Sequence, residues 1–454
     1  MLEALVDTLL GFVALLTAAA TTEGIMHAGL ARGVLRWDVM TAALIFAVAM
    51  SLLQSFLGMY RGHRLSLFAR LVRLSIALGL GTYLTYLVLK AFDFDGYPAV
   101  LVGYAALYLL LSLLTVRVIY HFAETTLGSP RVLIVGNAAE AAVVAEDLNK
   151  SARAHRHVVG FYPTASTLPA QTANVPSMKL LDTAIPLEEI VRKYKVQEII
   201  VAVREQRGGV MPMDELLLCR ARGVSVLSMA GFYERTHSEV PLESLKASWL
   251  VYGSGFVQGH ARRALKRTFD LVTSAVLLVL LSPVMLIAAL LIKLESHGPV
   301  LYRQERVGLG GETFMCLKLR SMRSDAEHDG VARWAAKNDS RVTRVGKFIR
   351  KTRIDELPQL ISVLRGEMSM VGPRPERPAF VTELKKQVPF YDLRHTVKPG
   401  VTGWAQVRYA YGASVEDSKR KHQFDLYYIK NNSLLLDLAV LIETVSVVLF
   451  REGQ

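Results

Sequence analysis

RIDELPQLISVLRGEMSMVGPRPE runs from Arg353 to Glu376. It opens on adjacent carboxylates, Asp355 and Glu356, fenced by Arg350, Lys351 and Arg353, and closes on Pro373-Arg374-Pro375-Glu376. A carboxylate pair among cations suits phosphate chemistry. One carboxylate can attack phosphorus, the other can help hold a metal ion, and the cations offset the charge of a diphosphate. The same residues also suit a helix start, because Asp and Glu favour a first turn and Leu-Pro fits there. For an isolated Asp-Glu the helix start is the better reading, and the surroundings decide against it.

Upstream, GPVLYRQERVGLGGETF (Gly298 to Phe314) reads as two short strands joined by a glycine turn, with Arg303 and Arg306 on opposite faces. In KLRSM, Lys318 and Arg320 stand two apart, hence on one strand face, a spacing that suits two cations aimed at one phosphate; a solvated basic edge is the plain alternative. Asn338-Asp339-Ser340 can cap a turn, and Lys347, Arg350 and Lys351 recur at helical spacing. Downstream, KPGVTGWAQV (Lys398 to Val407) is a glycine-punctuated loop in which Thr402 can donate to a phosphate and Trp404 suits either a headgroup level or a core. Glu416 to Ser433 reads as a helix with Phe424, Tyr427 and Tyr428 on its apolar side. Leu434 to Phe450 is apolar but interrupted by Asp437 and Glu443, so an interfacial helix is expected.

Before the hairpin lies an apolar run, Leu271 to Ile292, preceded by Arg262, Arg263, Lys266 and Arg267. It is long enough to span a bilayer, which takes about 20 residues. Pro283 sits mid-run, where it removes a helical hydrogen bond. Cations flank both ends, and a span would carry the carboxylate pair to the outer side. A re-entrant helix-break-helix at Ser282-Pro283 answers all three points, with the Ser282 hydroxyl satisfying a freed carbonyl, and an ordinary kinked fifth span is the alternative. Asp270, at the membrane border, is expected to pair with a nearby cation.

These motifs together resemble the catalytic core of the monotopic polyprenyl-phosphate hexose-1-phosphate transferases, in the large bacterial form that initiates exopolysaccharides. The resemblance is carried by Lys266-Arg267, Ser282-Pro283, GPVLYRQERVG, KLRSM, DELPQL (Asp355 to Leu360), MVGPRPE (Met370 to Glu376) and KPGVTGWAQV, in that order. It implies that Asp355 attacks the phosphorus next to the sugar of a UDP-sugar, releasing UMP. Undecaprenyl phosphate then takes the sugar phosphate from the aspartate. It implies magnesium, with Asp355 or Glu356 as ligand, and glucose or galactose as the usual donor sugar, glucose being preferred and N-acetylated hexoses staying open. Lys318, Arg320 and Arg353 would steady charge on phosphorus. Arg374 would meet the nucleotide, with Pro373 and Pro375 fixing its backbone. Asp339 to Thr343 and Asp425 match family positions near the site, although a helix-surface role suits Asp425 equally. One departure stands out: Ser362 replaces a usual asparagine, and its hydroxyl would have to hold the dyad loop instead.

The first part of the chain differs in kind. Four apolar stretches, about Leu2 to Met26, Val39 to Tyr60, Leu67 to Leu89 and Val100 to Tyr120, approach spanning length. Arg61, His63 and Arg64, with Arg70 and Arg73 behind them, against Asp93 and Asp95 put both ends of this bundle in the cytoplasm, with mild dissent from Arg32 and Arg36. The first run has no basic leader or cleavage site, so it is expected to be retained. Strands at Arg131 to Gly136, His157 to Tyr162, Glu198 to Val203 and Val224 to Ser228 alternate with helices, a Rossmann-like pattern. Dinucleotide binding at Gly136 would need further glycines, but Asn137, Ala138, Ala139 and Ala141 follow, so a degenerate domain is expected. A dehydratase or epimerase is disfavoured on the same ground, and because Glu198 stands where a Tyr-x-x-x-Lys pair beginning at Tyr194 would need its lysine.

Composition agrees. The 454 residues are 52% hydrophobic, carry a net charge of +13 and contain two cysteines, Cys219 and Cys316. The mean hydropathy is +0.30. The basic residues cluster beside apolar segments, which favours membrane lipid and nucleotide-diphosphate partners and leaves no nucleic-acid module. Two distant cysteines make neither a metal motif nor a disulfide framework. The expected class is membrane α/β. It comprises a four-helix transmembrane bundle (1–121), a Rossmann-like parallel α/β domain (122–229), a connector (230–261), a re-entrant membrane helix (262–296) and an α+β catalytic domain (297–454). Location at the bacterial inner membrane, catalytic face to the cytoplasm, and a homodimer are expected. A non-catalytic scaffold sensing nucleotide through the middle domain is the alternative.

Overall fold

The structure is a computed structural model. It describes residues 2–26, 37–57, 59, 67–92, 98–127, 130–136, 138–150, 156–164, 179–203, 211–242, 245, 255–256, 259–323, 341–409, 412 and 414–450. The loop charges Arg32, Arg36, Arg61, His63, Arg64, Asp93 and Asp95 lie outside the described residues, as do Asn137 and Asn338-Asp339-Ser340. The chain divides into two compact units, Met1–Met229 and Ala230–Gln454.

The first unit opens with four apolar helices: α1 Leu2–Met26, α2 Trp37–Phe56, α3 Leu67–Ala91 and α4 Pro98–Leu127. Each is long and apolar enough to cross a membrane. α1 packs on α2 and α4, and α3 on both of those. Small residues allow the close approach: a Cβ on Gly11 would lie 3.2 Å from the Ala47 Cα. Leu15, Phe46 and Leu109 fill the centre. Buried Asp7 pairs with Arg117 at 3.4 Å, tying α1 to α4 with one polar contact.

A parallel sheet of order β2-β1-β3-β4 follows, built from β1 Arg131–Gly136, β2 His157–Pro163, β3 Glu198–Ala202 and β4 Ser225–Ser228. β1 and β3 are near-continuous apolar runs because helices cover both faces of such a sheet. Gly136 ends β1 beside β3, where a Cβ would lie 2.2 Å from the Ala202 carbonyl oxygen, and its φ is +152°. Gly136→Ala is therefore expected to destabilise this sheet by roughly 1–3 kcal/mol whatever the domain binds. Thermal unfolding with and without nucleotide checks this; an unchanged melting profile would remove the packing role.

In the second unit, His260–Glu295 is one 36-residue helix, the fifth long and apolar enough to cross a membrane. Asp270, Ser274, Ala288 and Ile292 form its buried stripe. The opposite side is bare, with Val279 76% exposed. The interruption expected at Ser282-Pro283 is not seen: the helix continues through Pro283. Proline leaves the Val279 carbonyl without its i+4 donor, and the Ser282 hydroxyl donates to it at 2.8 Å.

Next comes an antiparallel hairpin, β5 Leu301–Val307 and β6 Thr313–Leu319, turning at Leu309–Gly311. A short parallel pair, β7 Ser369–Val371 and β8 Gly400–Thr402, lies under the helices Val415–Asn431 and Leu434–Phe450. Gly372 and Gly403 are required where these loops cross: a Cβ on either would lie 2.3 Å from the Lys398 oxygen or 2.1 Å from the Gly372 oxygen, respectively. Trp404 belongs to the core, stacked on Tyr427 and donating to the Ser238 oxygen at 2.8 Å. The connector packs on its own unit: Phe232 is fully buried, and Glu234 meets Lys430 at 2.7 Å.

Candidate active site

The helix Arg344–Lys351 is N-capped by Thr343, whose hydroxyl accepts from the Gly346 N–H at 2.9 Å. After it, Arg353 turns the chain in a left-handed conformation (φ +58°). A single 3₁₀ turn, Ile354–Glu356, then leads into the helix Gln359–Arg365. The carboxylate pair thus does stand just ahead of a helix, yet both side chains are buried. Solvating a helix end would leave them exposed, so burial separates the two sequence readings.

The two carboxylates have opposite surroundings. Glu356 Oε1 accepts from Lys318 Nζ at 2.9 Å and from Arg374 Nη2 at 2.5 Å. Its Oε2 accepts from Arg374 Nη1 at 3.2 Å, completing a bidentate fork, with Arg353 at 4.0 Å. Burial works against the Glu356 charge, but Arg374 and Lys318 outweigh it and hold the carboxyl well below its usual range. Asp355 has no such partners, and its buried Oδ1 lacks a hydrogen bond among the described residues. Burial first, then the neighbouring Glu356 charge, pushes its carboxyl up to about 6. A desolvated, weakly bound carboxylate beside a cation cluster can act as a nucleophile or offer an oxygen to a hard cation. No group of three or more His, Cys, Asp or Glu side chains gathers for a metal among the described residues. A magnesium ion needs fewer protein ligands, since it commonly takes one or two carboxylates and fills its shell with phosphate oxygens and water.

Lys318, Arg353, Arg374, Asp355 and Glu356 thus come together. Pro373 and Pro375 hold the Arg374 segment: the Pro373 oxygen accepts from Gly400 N–H at 2.9 Å, and the Pro375 oxygen from Arg306 Nη1 at 3.0 Å. Arg306 and Arg303 do face opposite ways, Arg303 being exposed. Arg320 and Thr402 go elsewhere. Arg320 is buried and donates to the His297 and Ser296 oxygens at 2.6 and 2.7 Å. The Arg320 N–H still pairs with the Val300 oxygen at 2.8 Å, so the strand pairing reaches this residue, but its guanidinium is taken by the main chain of Ser296 and His297. The Thr402 hydroxyl lies 2.6 Å from that of Thr444. The buried Ser362 hydroxyl has no hydrogen-bond partner among the described residues.

Some contacts had no sequence signal. Lys266 bridges the Asp437 carboxylate at 2.8 Å and the Val371 oxygen at 3.3 Å. Tyr428 reaches the same two residues, at 2.7 and 2.9 Å. Asp270, by contrast, finds the nearby cation expected of it, Lys266 at 3.8 Å, and also accepts from the Met370 N–H at 3.1 Å. Asp425 is buried against Arg394 at 3.2 Å, not on a helix surface.

Comparison with known proteins places this geometry. Residues 261–451 match the family described as Bacterial sugar transferase. A UDP-N-acetylgalactosamine-undecaprenyl-phosphate N-acetylgalactosaminephosphotransferase of Aeromonas hydrophila is 49% identical over 189 residues, 42% of this chain and 44% of that protein. A UDP-glucose:undecaprenyl-phosphate glucose-1-phosphate transferase of Escherichia coli is 45% identical over 185 residues, 40% of each chain. One of the same name from Caulobacter vibrioides is 47% identical over 182 residues, 40% of this chain and 68% of that protein. The chain thus spans about two-fifths of the length of the first two relatives, and most of the third. Coverage of that third protein at this identity, together with the family match over the dyad, the hairpin and the long apolar helix, shows that the chain belongs to the bacterial sugar transferase family.

Proposed function

We propose that this chain transfers a hexose 1-phosphate from a UDP-sugar to undecaprenyl phosphate, releasing UMP. The observation that carries the reading is the unequal dyad: an Asp355 oxygen is buried with no hydrogen bond among the described residues, while Glu356 gathers Lys318 and Arg374 beside it. The relatives' names supply the substrate class, being UDP-sugar:undecaprenyl-phosphate transferases.

In the proposed reaction an Asp355 oxygen attacks the phosphorus next to the sugar. The bond from that phosphorus to the bridging oxygen breaks, and UMP leaves with the electron pair. The undecaprenyl phosphate oxygen then attacks the same phosphorus, the acyl-phosphate bond breaks, and the Asp355 carboxylate is restored. Two steps at one carboxylate avoid holding a soluble donor and a lipid acceptor together. Lys318, Arg353 and Arg374 offset charge on the phosphates. Magnesium, held by Asp355 with Glu356 beside it, would neutralise the diphosphate when bound.

The long helix supports a reading of membrane placement. Near its start, Arg267 donates to the Val363 and Leu364 oxygens at 2.6 and 2.8 Å. At its end, Glu295 accepts from the Arg344 and Val345 N–H groups at 2.7 and 3.0 Å. Both ends hold the same polar unit, which supports reading Pro283 as a bend within the unbroken helix, so that it enters and leaves one leaflet with the catalytic unit on the cytoplasmic face of the inner membrane. Cysteines at Gly259 and Glu312 are expected to resist a membrane-impermeant maleimide in intact cells and to react after lysis. Labelling of either one from outside would establish a span. A homodimer is also proposed, and mass photometry in nanodiscs would count the copies.

The test of function is UMP release from a panel of UDP-sugars, UDP-glucose first, with undecaprenyl phosphate and magnesium. Release with one donor, dependent on the lipid, supports the reading. Silence across the panel would move weight to the scaffold alternative.

A further inference from the structure

Between β7 and the helix Pro378–Gln387, four successive main-chain oxygens accept from three other elements: β8, β5 and the 3₁₀ segment Tyr391–Thr396. Pro373 O accepts from Gly400 N–H and Glu376 O from Val307 N–H, both at 2.9 Å. Pro375 O accepts from Arg306 Nη1 at 3.0 Å, and Arg374 O from Arg394 Nη2 at 2.8 Å. Backbone donors are ordinary in a packed loop. Buried guanidinium donors are not, because their desolvation must be offset by partners.

Arg394 is the more enclosed of the two. It lies on the 3₁₀ segment Tyr391–Thr396 with its side chain 7% exposed. Its Nη2 also meets Asp425 Oδ2 at 3.2 Å, its Nη1 donates to the Tyr391 hydroxyl, and its Cζ lies 4.9 Å from the Tyr391 ring centre. Burial opposes its charge, but Tyr391, Asp425 and Glu376 outweigh that and hold the proton more firmly than in a free guanidinium. A buried ion pair of this kind adds little stability over apolar packing of the same shape. What it does supply is direction: one fork is aimed at the carbonyl of the residue whose own guanidinium grips Glu356.

We propose that Arg394, oriented by Asp425, is a positioning residue that fixes the main chain of Arg374, and through it the Arg374 guanidinium against Glu356 and the donor's phosphates. The inference rests on the function proposed above and adds two residues that touch neither dyad carboxylate.

The test uses the full chain in nanodiscs. Arg394→Lys keeps the charge but loses the planar fork. Asp425→Asn keeps the shape and loses the orienting charge. Each is made in the native background and in Arg374→Lys. In the native background each change is expected to lower kcat/KM by about tenfold, mainly through KM for the UDP-sugar. In the Arg374→Lys background the same changes should cost less than about twofold, because the grip they align is already gone. Equal losses in both backgrounds, undiminished activity, or failure of both variants to fold would each overturn the proposal in favour of a packing role. UMP affinity by titration calorimetry gives the same comparison without turnover. If the native chain is inert on every donor yet shows this coupling in UMP binding, the reaction reading fails and the positioning role stands.

Discussion

Asp355→Asn is expected to abolish UMP release, by about a thousandfold or more, while leaving the melting temperature unchanged or raised by a few degrees. The amide is close to the same size but is not a nucleophile towards phosphorus. The unusual half of the expectation is the stability. Asp355 is buried with one oxygen unpartnered among the described residues, and its carboxyl is pushed up to about 6 by burial first and Glu356 second. Between about pH 4 and pH 6 the folded chain therefore binds this proton more tightly than the unfolded chain. Stability falls as the pH rises through that window, and the whole penalty is present above it. The neutral amide lacks this penalty at every pH. In the native enzyme the same protonation silences the nucleophile, so kcat/KM should rise with pH through an acidic limb near 6. UMP release and thermal unfolding from pH 5 to pH 8, for both proteins, check the pair of effects. Wild-type turnover in the variant would end the nucleophile reading, and a melting temperature well below native would show that Asp355 has a partner in the working enzyme.

Much of this arrangement could be read from the sequence, for identifiable reasons. Apolar runs of spanning length, the GLGG turn between Val307 and Thr313, and the alternating apolar strands are all local signals, and each element is where its pattern puts it. The carboxylate pair and its cations were legible because three of the five, Arg353, Asp355 and Glu356, are chain neighbours. Arg320 is drawn off by the Ser296 and His297 carbonyls, supplied by a separate segment of the chain, a pairing that strand alternation does not report. Thr402 finds Thr444, 42 residues on, and Arg394 finds Asp425 from another element. Such pairings depend on how separate segments pack, and no spacing rule reports them. Ser282-Pro283 shows both outcomes at once. The hydroxyl satisfies the freed carbonyl as the chemistry requires, and by doing so lets the helix run on where a break was expected.

Glu356→Gln is expected to act in the opposite sense on stability. Glu356 is the counter-charge for Lys318 and Arg374, whose side chains are only 17% and 29% exposed. Glutamine keeps an acceptor oxygen but removes the charge, leaving two desolvated cations facing each other. Breaking such a buried cluster costs about 3 kcal/mol, and the melting temperature should fall by roughly 5–10 °C. Because Arg374 and Lys318 hold the Glu356 carboxyl well below its usual range, its contribution is present above the unfolded value and is lost as the pH falls through the folded one. The variant should therefore lose stability at neutral pH and show a flatter acid limb than the native chain. Activity should fall by about a hundredfold or more as well, since Lys318 and Arg374 lose the anchor that sets their spacing before a diphosphate arrives. The two substitutions are chemically the same and one peptide bond apart, so their comparison isolates environment from residue type. Thermal unfolding of both at pH 7.5 decides it. If both variants melt alike, the division of labour drawn from the burial and pairing of this dyad is wrong. If only Glu356→Gln melts early, the dyad consists of one carboxylate kept for structure and charge and one kept free for chemistry.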